Sequence, residues 1–475
     1  MNLEKKIKKN NNCFSCNAIC SDNIEHVFKA KHGLNEQIVL QISKEKNEPN
    51  WMQDYRLAAF NFFKNKKMQN WGPSLENLNF DDLCFYLRAW DKSENNWQNL
   101  PQNIKKSFEQ ENLQKIEKES LGGLGAQYES EIVYHHLKKE WESLGVIFCS
   151  PDIALQKYPD IFKEYFGTVV NFSDNKFAAL NSAVWSGGSF IYVPPKIHVK
   201  VPLQAFYKMH SKKLGQFERT LIIADENSSV SYIEGCSANT YSASSLHSAV
   251  VEIIAKKNAK VKYYTIQNWS KNVYNLVTKR AIAYENASVE WVDCNVGSQV
   301  TMKYPSVILK ENGAKAAVWS FSVASDNNQI QDTGAKIIHL APNTSSKIVS
   351  KSLSSNGGRA SYRGLVKITK NAKKSKSFVQ CDGLILDDKS RSDAYPIIDV
   401  SNNNVDVGHE ARVNKIVDEQ IFYLMARGLN SQDAQTLIIH GFVEPIIKEL
   451  PSEYALEIDR LIQAGIGGMC NADAK

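Results

Sequence analysis

LIIADENSSVSYI (221–233), VEIIAKKNAKVKYYT (251–265) and RAIAYENASVEWV (280–292) follow one plan. Each opens on an apolar run, turns at an asparagine followed by a small residue, and resumes in alternation rich in Val, Tyr and Ser or Lys. Short alternating runs of this composition are strand signals. The plan continues through VILKENGAKAAVW (307–319), KIIHLAPNTSSKIVS (336–350) and LVKITKNAKKSKSFV (365–379). The turn asparagines Asn227, Asn258, Asn286, Asn312, Asn343 and Asn371 are spaced by 31, 28, 26, 31 and 28 residues. Asparagine tolerates the left-handed conformation of a tight turn. A near-constant period of this length predicts stacked β coils, a parallel β-helix over residues 161–404, because a sandwich spaces its turns less evenly.

Stacking has a consequence for cysteines. Residues one period apart lie on neighbouring coils, and Cys236, Cys294 and Cys381 follow Asn227, Asn286 and Asn371 by 9, 8 and 10 residues. They are expected at roughly equivalent places in their repeats. Each also has a plainer reading as a small buried core residue.

On the N-terminal side, residues 1–30 read as a loose polar tail and 31–160 as a mainly helical region. The stretch 33–65 gives two amphipathic segments broken at Pro49, with Trp51, Tyr55, Ala58 and Phe62 at helical spacing as packing residues. LGGLGAQ (121–127) lacks the Lys-Ser/Thr pair of a phosphate loop. YESEIVYHHLKKEWESLGVIF (128–148) reads as a helix running into a strand, so that His135 and His136 point to different faces and share no metal. On the C-terminal side, helical pattern is expected to return from about Val405, giving a helical region 405–475. VDEQIFYLMARG carries Ile421, Leu424 and Met425 on one face and stops at Gly428. A second helix starts at the N-cap residue Ser431 and runs to Leu450 with a kink at Pro445, and EYALEIDRLIQAG forms a third. These helices carry more apolar surface than a small cap needs. Pattern alone leaves open a self-contained cap and a partner surface.

Composition narrows the functional classes. A net charge of +6 on 475 residues, with the short basic start Lys5, Lys6, Lys8 and Lys9, gives no concentrated basic face for nucleic acid. No apolar run reaches the ~20 residues of a membrane span, and MNLEKKIKKNNNCFSC lacks the apolar core of a secretory signal. Nine scattered cysteines fit reduced thiols, so a cytoplasmic location is expected. No nucleotide loop, nucleophile elbow or zinc-protease motif is present, which removes the common enzyme classes.

Two groupings carry ligand chemistry. Cys13, Cys16 and Cys20 have cluster-like spacing, set in a polar tail where incidental thiols are the plainer reading. Gln380–Glu410 holds Cys381 at one end and His409 with Glu410 at the other, and these are the side-chain types that bind iron or zinc. Adjacent residues of a strand face opposite sides, so His409 and Glu410 serve one site only if the segment bends or an interface uses both.

Several stretches together resemble the SufB-type scaffold protein of the SUF iron–sulfur assembly system. They are GLNEQIVLQISKEKNEPNWMQDYRL (33–57), the run 179–207 with SGGSFIYVPPKIHVKVP, GQFERTLIIADENSSVSYIEGCSA (215–238) and LHSAVVEIIAKKNAKVKYYTIQNW (246–269). QDTGAKIIHLAPNTSSKIVSKSLS (331–354), SYRGLVKI (361–368), SFVQCDGLI (377–385) and GHEARVNKIVDEQIFYLMARGLNSQDAQTLIIHGFVEPIIKELPSEYALE (408–457) extend it. The resemblance implies a right-handed parallel β-helix with helical flanks, and a scaffold rather than a free-standing enzyme. It implies work with a SufC-type ABC ATPase docked on helices within 417–450, and with a SufD-like β-helix homologue or a second copy of itself. Sulfur would arrive as persulfide from a cysteine desulfurase or sulfur carrier. The cluster would be transient, reduced flavin is a further cofactor the family admits, and no nucleic acid or membrane enters.

Residue by residue, Cys236 in EGCSA matches the family's sulfur acceptor and Cys381 in VQCDG the cysteine proposed to hold the cluster. His409 and Glu410 in GHEA match the histidine and glutamate near the subunit interface. Together these four are the expected sites, with Cys381, Glu410 and His409 as iron ligands. Three features depart from the pattern. Gly408 stands where some members have Glu, Lys208 and His210 where some have Arg and Asn, and the Cys13–Cys20 run lies earlier than its counterpart. Two rivals remain at this stage: a non-cluster-bearing, SufD-like structural homologue, and a solenoid carbohydrate-active enzyme. The location would be the plastid stroma in an organellar setting.

Overall fold

A computed structural model describes residues 26–90, 93–108, 113–239, 243–451 and 455. Its centre is a parallel β-solenoid of about 7 turns between residues 190 and 415. Seven strands of one sheet recur here: β1 (Ser229–Ala238), β2 (Lys260–Trp269), β3 (Ser288–Gly297), β4 (Lys315–Ala324), β5 (Ser345–Ser354), β6 (Ser375–Ile385) and β7 (Val405–Lys415). Each pairs in parallel with the next, and a second sheet, ending at Arg391–Val400, closes the coil from the other side.

The corner between the sheets is a column of left-handed residues: Asn227, Asn258, Asn286, Gly313, Asn343 and Lys374, with φ of 58°, 58°, 54°, 72°, 56° and 56°. The side chains bond along the column, Asn258 Nδ2 donating to Asn227 Oδ1 at 2.9 Å and Asn343 Nδ2 to Asn312 Oδ1 at 2.7 Å. The repeat is therefore real, but two of its turn residues are displaced from the expected asparagines. In the fourth coil glycine takes the left-handed position beside Asn312. In the sixth, Lys374 takes it three residues after Asn371.

Inside the coil an apolar ladder runs Tyr232, Tyr263, Trp291, Val318, Ile348, Val379. Its aromatic rings lie 5.1 and 5.0 Å apart, within the favourable range for aromatic pairs.

Helices α1 (Glu36–Glu45) and α2 (Asn50–Asn65) form on either side of Pro49 as expected, and α3 (Lys176–Val184) is buried on the second sheet. The buried line of α2 is Met52, Arg56, Ala59, Phe60 and Phe63, whereas Ala58 is exposed and Trp51, Tyr55 and Phe62 only half-buried. The face is turned because Arg56, charged and so passed over in an apolar pattern, is buried with Glu48 at 2.6 Å and donates to the carbonyls of Ala183 and Trp185. A second fully buried pair, Arg219 with Glu252 at 2.5 Å, lies within the solenoid, and Arg219 ties it to α3 by donating to Asn181 Oδ1 and Ser182 Oγ. Glu252 also accepts from the backbone N–H groups of Gly167, Val169 and Val170.

Three expectations are corrected. His135 and His136 lie on a strand, Glu131–Leu137, hairpinned against Gly123–Tyr128, because IVYH is β-prone and Glu129 turns left-handed with φ 58°. Val405–Lys415 is the last rung of the solenoid, and helix begins only at α4 (Asp418–Met425). Its VDVGHEARV alternation satisfies strand pairing to β6, and pairing overrides local pattern. Helix α5 (Ser431–Ile447) is capped by Asn430, whose side chain accepts from Asp433 N at 2.7 Å, one residue before the expected cap. Its Ile439, Val443 and Ile446 pack on the outer face of the first sheet over Ile233, Ile266, Phe321 and Leu353. The third C-terminal helix and Cys13, Cys16 and Cys20 lie outside the described residues.

Candidate functional site

Strand pairing decides which candidates share a side. Cys236 pairs in register with Gln267, Asn295, Ser322 and Ser352, while Cys381 pairs with Ser350, Ser320, Asp293, Thr265 and Glu234 in successive coils. Glu234 and Cys236 are two apart on one strand and share a face. Cys236 and Cys381 therefore both point into the coil. Cys294 pairs with Ile266 and Phe321 and points outward beneath α5, where burial pushes its thiol up to about 12. The expected equivalence of the three cysteines fails by one residue of parity, which flips a side chain across the sheet. Counted from the true turn residue Lys374, Cys381 falls seven residues on, an odd offset like that of Cys236.

Between the two inward thiols runs an unbroken polar row: Glu234, Thr265, Asp293, Ser320, Ser350, Cys381. Five strand steps at ~4.8 Å separate its ends by about 24 Å, so the thiols cannot meet directly. Around the first half of the row the interior is charged. Lys279 Nζ lies 3.8 Å from Glu234 and 3.3 Å from Asp293, and Lys303 Nζ lies 3.2 Å from Asp293 and 3.3 Å from Gln267 Oε1. Desolvation pulls Lys303 down to about 8 despite Asp293. Asn275 Nδ2 donates to Gln267 at 2.7 Å, and its carbonyl oxygen lies 2.8 Å from His247 Nδ1. Asp293 Oδ2, Asn295 Oδ1, Thr301 Oγ1 and Gln267 Nε2 are buried and without hydrogen-bond partners among the described residues. Leaving such atoms unpaired costs about 1–3 kcal/mol each, so this polar interior is built at the expense of stability.

At the near end, Cys236 is buried, with Sγ 3.9 Å from Glu234 Oε1. Burial first, then the Glu234 and Glu218 charges, push its thiol well above the ordinary range, against the pull of Lys279 and Lys303. Lys208 pairs with Ser237, one residue off the Cys236 row, and so faces the other side of the strand. His210 approaches Asn239 at 2.6 Å and donates its backbone N–H to Glu129.

At the far end, Cys381 Sγ lies 3.9 Å from His409 Nε2 and donates to the Glu410 carbonyl at 3.7 Å. Desolvation, with the Asp382 charge added, pushes the thiol up to about 11. His409 pairs with Val379, and so continues the inward ladder beside Cys381. Glu410 pairs with Gln380 on the outward side, and its carboxylate binds Arg412. Gly408 pairs with Phe378, and a Cβ there would sit 3.1 Å from that ring, so a Glu at this position would also face outward. Thus Cys381 and His409 are brought together and the Glu410 carboxylate is not. Among the described residues no three of His, Cys, Asp and Glu gather as a metal site.

Sequence reasoning missed the buried residues Glu234, Lys279, Asp293 and Lys303. The signal was present as polar residues at inward parity within β-rich repeats. The far end is also open: β7 and Arg391–Val400 are terminal strands of their sheets, and Ile398, Val400 and Val413 are exposed there.

Comparison with known proteins adds an independent line. Residues 207–442 match the family model described as SUF system FeS cluster assembly, SufBD core domain, and residues 40–205 that of the SufBD protein N-terminal region. Proteins named iron-sulfur cluster assembly SufBD family protein are similar along nearly their whole length. One from Staphylococcus epidermidis ATCC 12228 is 52% identical over 442 residues, covering 93% of this chain and 95% of the relative. Those of Staphylococcus aureus MRSA252 and N315 are 53% and 52% identical over the same coverage.

Proposed function

This chain belongs to the SufBD family of the SUF iron–sulfur cluster assembly system, and from that premise we propose that it is the scaffold subunit on which the cluster is built. Cys236 accepts sulfane sulfur from a persulfide donor, a cysteine desulfurase or its carrier. The inward polar row conducts sulfur along the solenoid, and Cys381 with His409 holds iron and sulfide at the open end. The observation that carries this reading is the unbroken row from Glu234, beside Cys236, to Cys381. A structural solenoid has no need of several buried, unpaired polar atoms, and the hydroxyls of the row with the ammonium groups of Lys279 and Lys303 beside it suit the passage of small sulfur anions.

Two protein donors are too few for a whole cluster, which is ordinarily held by four. The open strands β7 and Arg391–Val400 supply the remedy in this reading: a SufD-like homologue or a second copy pairs there and contributes the missing donors. Glu410, on the outward side of the same edge strand, then faces that interface. The exposed apolar residues of α4 and α5 receive a SufC-type ABC ATPase. No helix among the described residues is long and apolar enough to cross a membrane; the location in this reading is the cytoplasm.

Anaerobic reconstitution with iron and sulfide tests the assignment. The parent is expected to develop cluster absorbance and Cys381→Ser to lose most of it. Cys236→Ser is expected to take preformed cluster yet fail to assemble one from cysteine and a desulfurase. If both variants assemble cluster from cysteine, the relay is wrong. A second reading, the SufD-like partner that bears no cluster, draws on the outward-turned Glu410 and the missing third ligand. It is the correct one if the parent binds no cluster with any partner added.

A further inference from the structure

A buried thiol attacks a persulfide only as its thiolate, so Cys236 needs somewhere to put its proton. Sending it to solvent would leave a net negative charge in a region with almost no exposure, a costly state. A carboxylate acceptor is in reach. Glu234 Oε1 lies 3.9 Å from Cys236 Sγ, on the same face of the same strand. The other carboxylate oxygen accepts from the Tyr263 hydroxyl on the neighbouring rung, which fixes the carboxylate with Oε1 towards the sulfur. Lys279 stands 3.8 Å from the same Oε1 and is shared with Asp293. Moving the proton from sulfur to Oε1 thus shifts a negative charge by one contact distance and leaves the net charge of the buried set unchanged. The ammonium of Lys279 faces the negative charge on either atom.

Resting on the reading of Cys236 as sulfur acceptor, we propose that Glu234 is the general base for that step, aimed by Tyr263 and balanced by Lys279. The Cys236 S–H bond breaks and its proton goes to Glu234. The thiolate attacks the terminal sulfur of a donor persulfide R–S–S⁻, forming a new S–S bond as the donor's S–S bond breaks. The departing R–S⁻ takes the proton back from Glu234, giving R–SH and Cys236–S–S⁻. No electrons are gained or lost overall. The donor approaches by the half-exposed strand end at Ser237 and Ala238.

The test uses the full chain with cysteine persulfide as probe, following the added sulfur on the Cys236 peptide by mass between pH 6 and 10. Glu234→Gln keeps the shape and the Tyr263 contact but removes the base. It is expected to slow transfer about 100-fold at pH 7, with the rate climbing as pH rises until it approaches the parent's. Tyr263→Phe, which frees the carboxylate without removing it, is expected to slow transfer about tenfold at pH 7. It serves as the deciding variant should the Gln substitution fail to fold. A Glu234→Gln rate at pH 7 equal to the parent's overturns the proposal. A faster rate also overturns it, since it would make Glu234 a brake whose charge keeps the thiol protonated. If the parent's Cys236 takes no sulfur at any pH, Cys236 is not the acceptor and the broader reading fails instead.

Discussion

The thiol of Cys381 and the imidazole of His409 face each other across adjacent rungs, Sγ to Nε2 at 3.9 Å, while Glu410, the next residue along, turns to the opposite side of the sheet. Parity of the strand, not nearness in sequence, selects which of the three candidate ligands reaches the sulfur. In the isolated chain reconstituted with iron and sulfide, His409→Ala is therefore expected to cut cluster absorbance about tenfold and Glu410→Ala by less than about twofold. With a β-helix partner present, Glu410→Ala is expected to have its larger effect. A loss on Glu410→Ala in the isolated chain as deep as that of Cys381→Ser would mean the carboxylate swings to the iron.

Of the six corner residues from Asn227 to Lys374, all but the last are asparagine or glycine. Lys374, at φ 56°, has no short polar side chain to bond back to the chain, and a left-handed backbone costs an ordinary L residue roughly 1–2 kcal/mol. Its backbone N–H donates to Asn404 O at 2.6 Å, a bond that substitution would keep. Lys374→Asn is expected to stabilise the protein by about 0.5–1 kcal/mol. Chemical denaturation of the two proteins side by side measures it, and equal midpoints with equal slopes would show that the corner carries no strain.

His339 gives the fold a pH dependence of predictable sign. It is buried, with Nδ1 2.8 Å from Thr344 Oγ1 and Nε2 2.9 Å from Ser346 Oγ, and burial pulls it down to about 4 from its ordinary 6.5. The folded chain thus refuses a proton that the unfolded chain accepts. This contribution is fully present above pH 6.5 and is lost as pH falls towards 4, by roughly 3 kcal/mol over the window. His339→Gln, which keeps a donor and an acceptor but does not titrate, is expected to flatten the fall by about one proton's slope. An unchanged slope in denaturation curves at pH 7, 5.5 and 4.5 would assign the acid sensitivity to other groups.

The solenoid was legible because its repeat is written in residues whose conformational reasons are local: asparagine in a left-handed corner, alternating β-prone residues beyond it. The reading slipped where the corner residue was not asparagine. Gly313 and Lys374 displaced two turns, and counting from asparagines alone hid that Cys294 has the opposite parity to Cys236 and Cys381. Val405–Lys415 read as the approach to a helix because its strand character depends on pairing with β6, a partner thirty residues away in the chain. The charged interior was illegible for a related reason. Lys279, Lys303 and Asp293 look like surface residues by type, and only the register of three coils shows that they meet. Cys381, His409 and Glu410 were identified together as candidate ligands from their types and resemblance. That Glu410 turns away follows from the alternation itself, once the segment is known to be straight.

The C-terminal helices separate folding from partner binding more cleanly than any other part of the chain. Ile439, Val443 and Ile446 of α5 are buried on the first sheet, whereas Phe422, Tyr423 and Met425 of α4 and Leu437 of α5 are exposed, Phe422 by 73%. A phenylalanine that open to solvent contributes little to the folded state, and substitutions at such sites usually change stability by less than about 0.5 kcal/mol. An exposed aromatic at the centre of a docking surface, by contrast, is the type of residue that carries binding energy, about 2 kcal/mol or more. Phe422→Asp is thus expected to leave the denaturation midpoint in place and weaken binding of the SufC-type ATPase by about 30-fold or more. Ile439→Asp is expected to do the reverse first: a carboxylate driven against Ile233 and Phe321 unfolds the cap before any affinity can be read. Thermal unfolding of both variants, followed by calorimetric titration of Phe422→Asp with the ATPase, separates the two faces. Parent-like affinity in a folded Phe422→Asp protein would move the docking surface off α4.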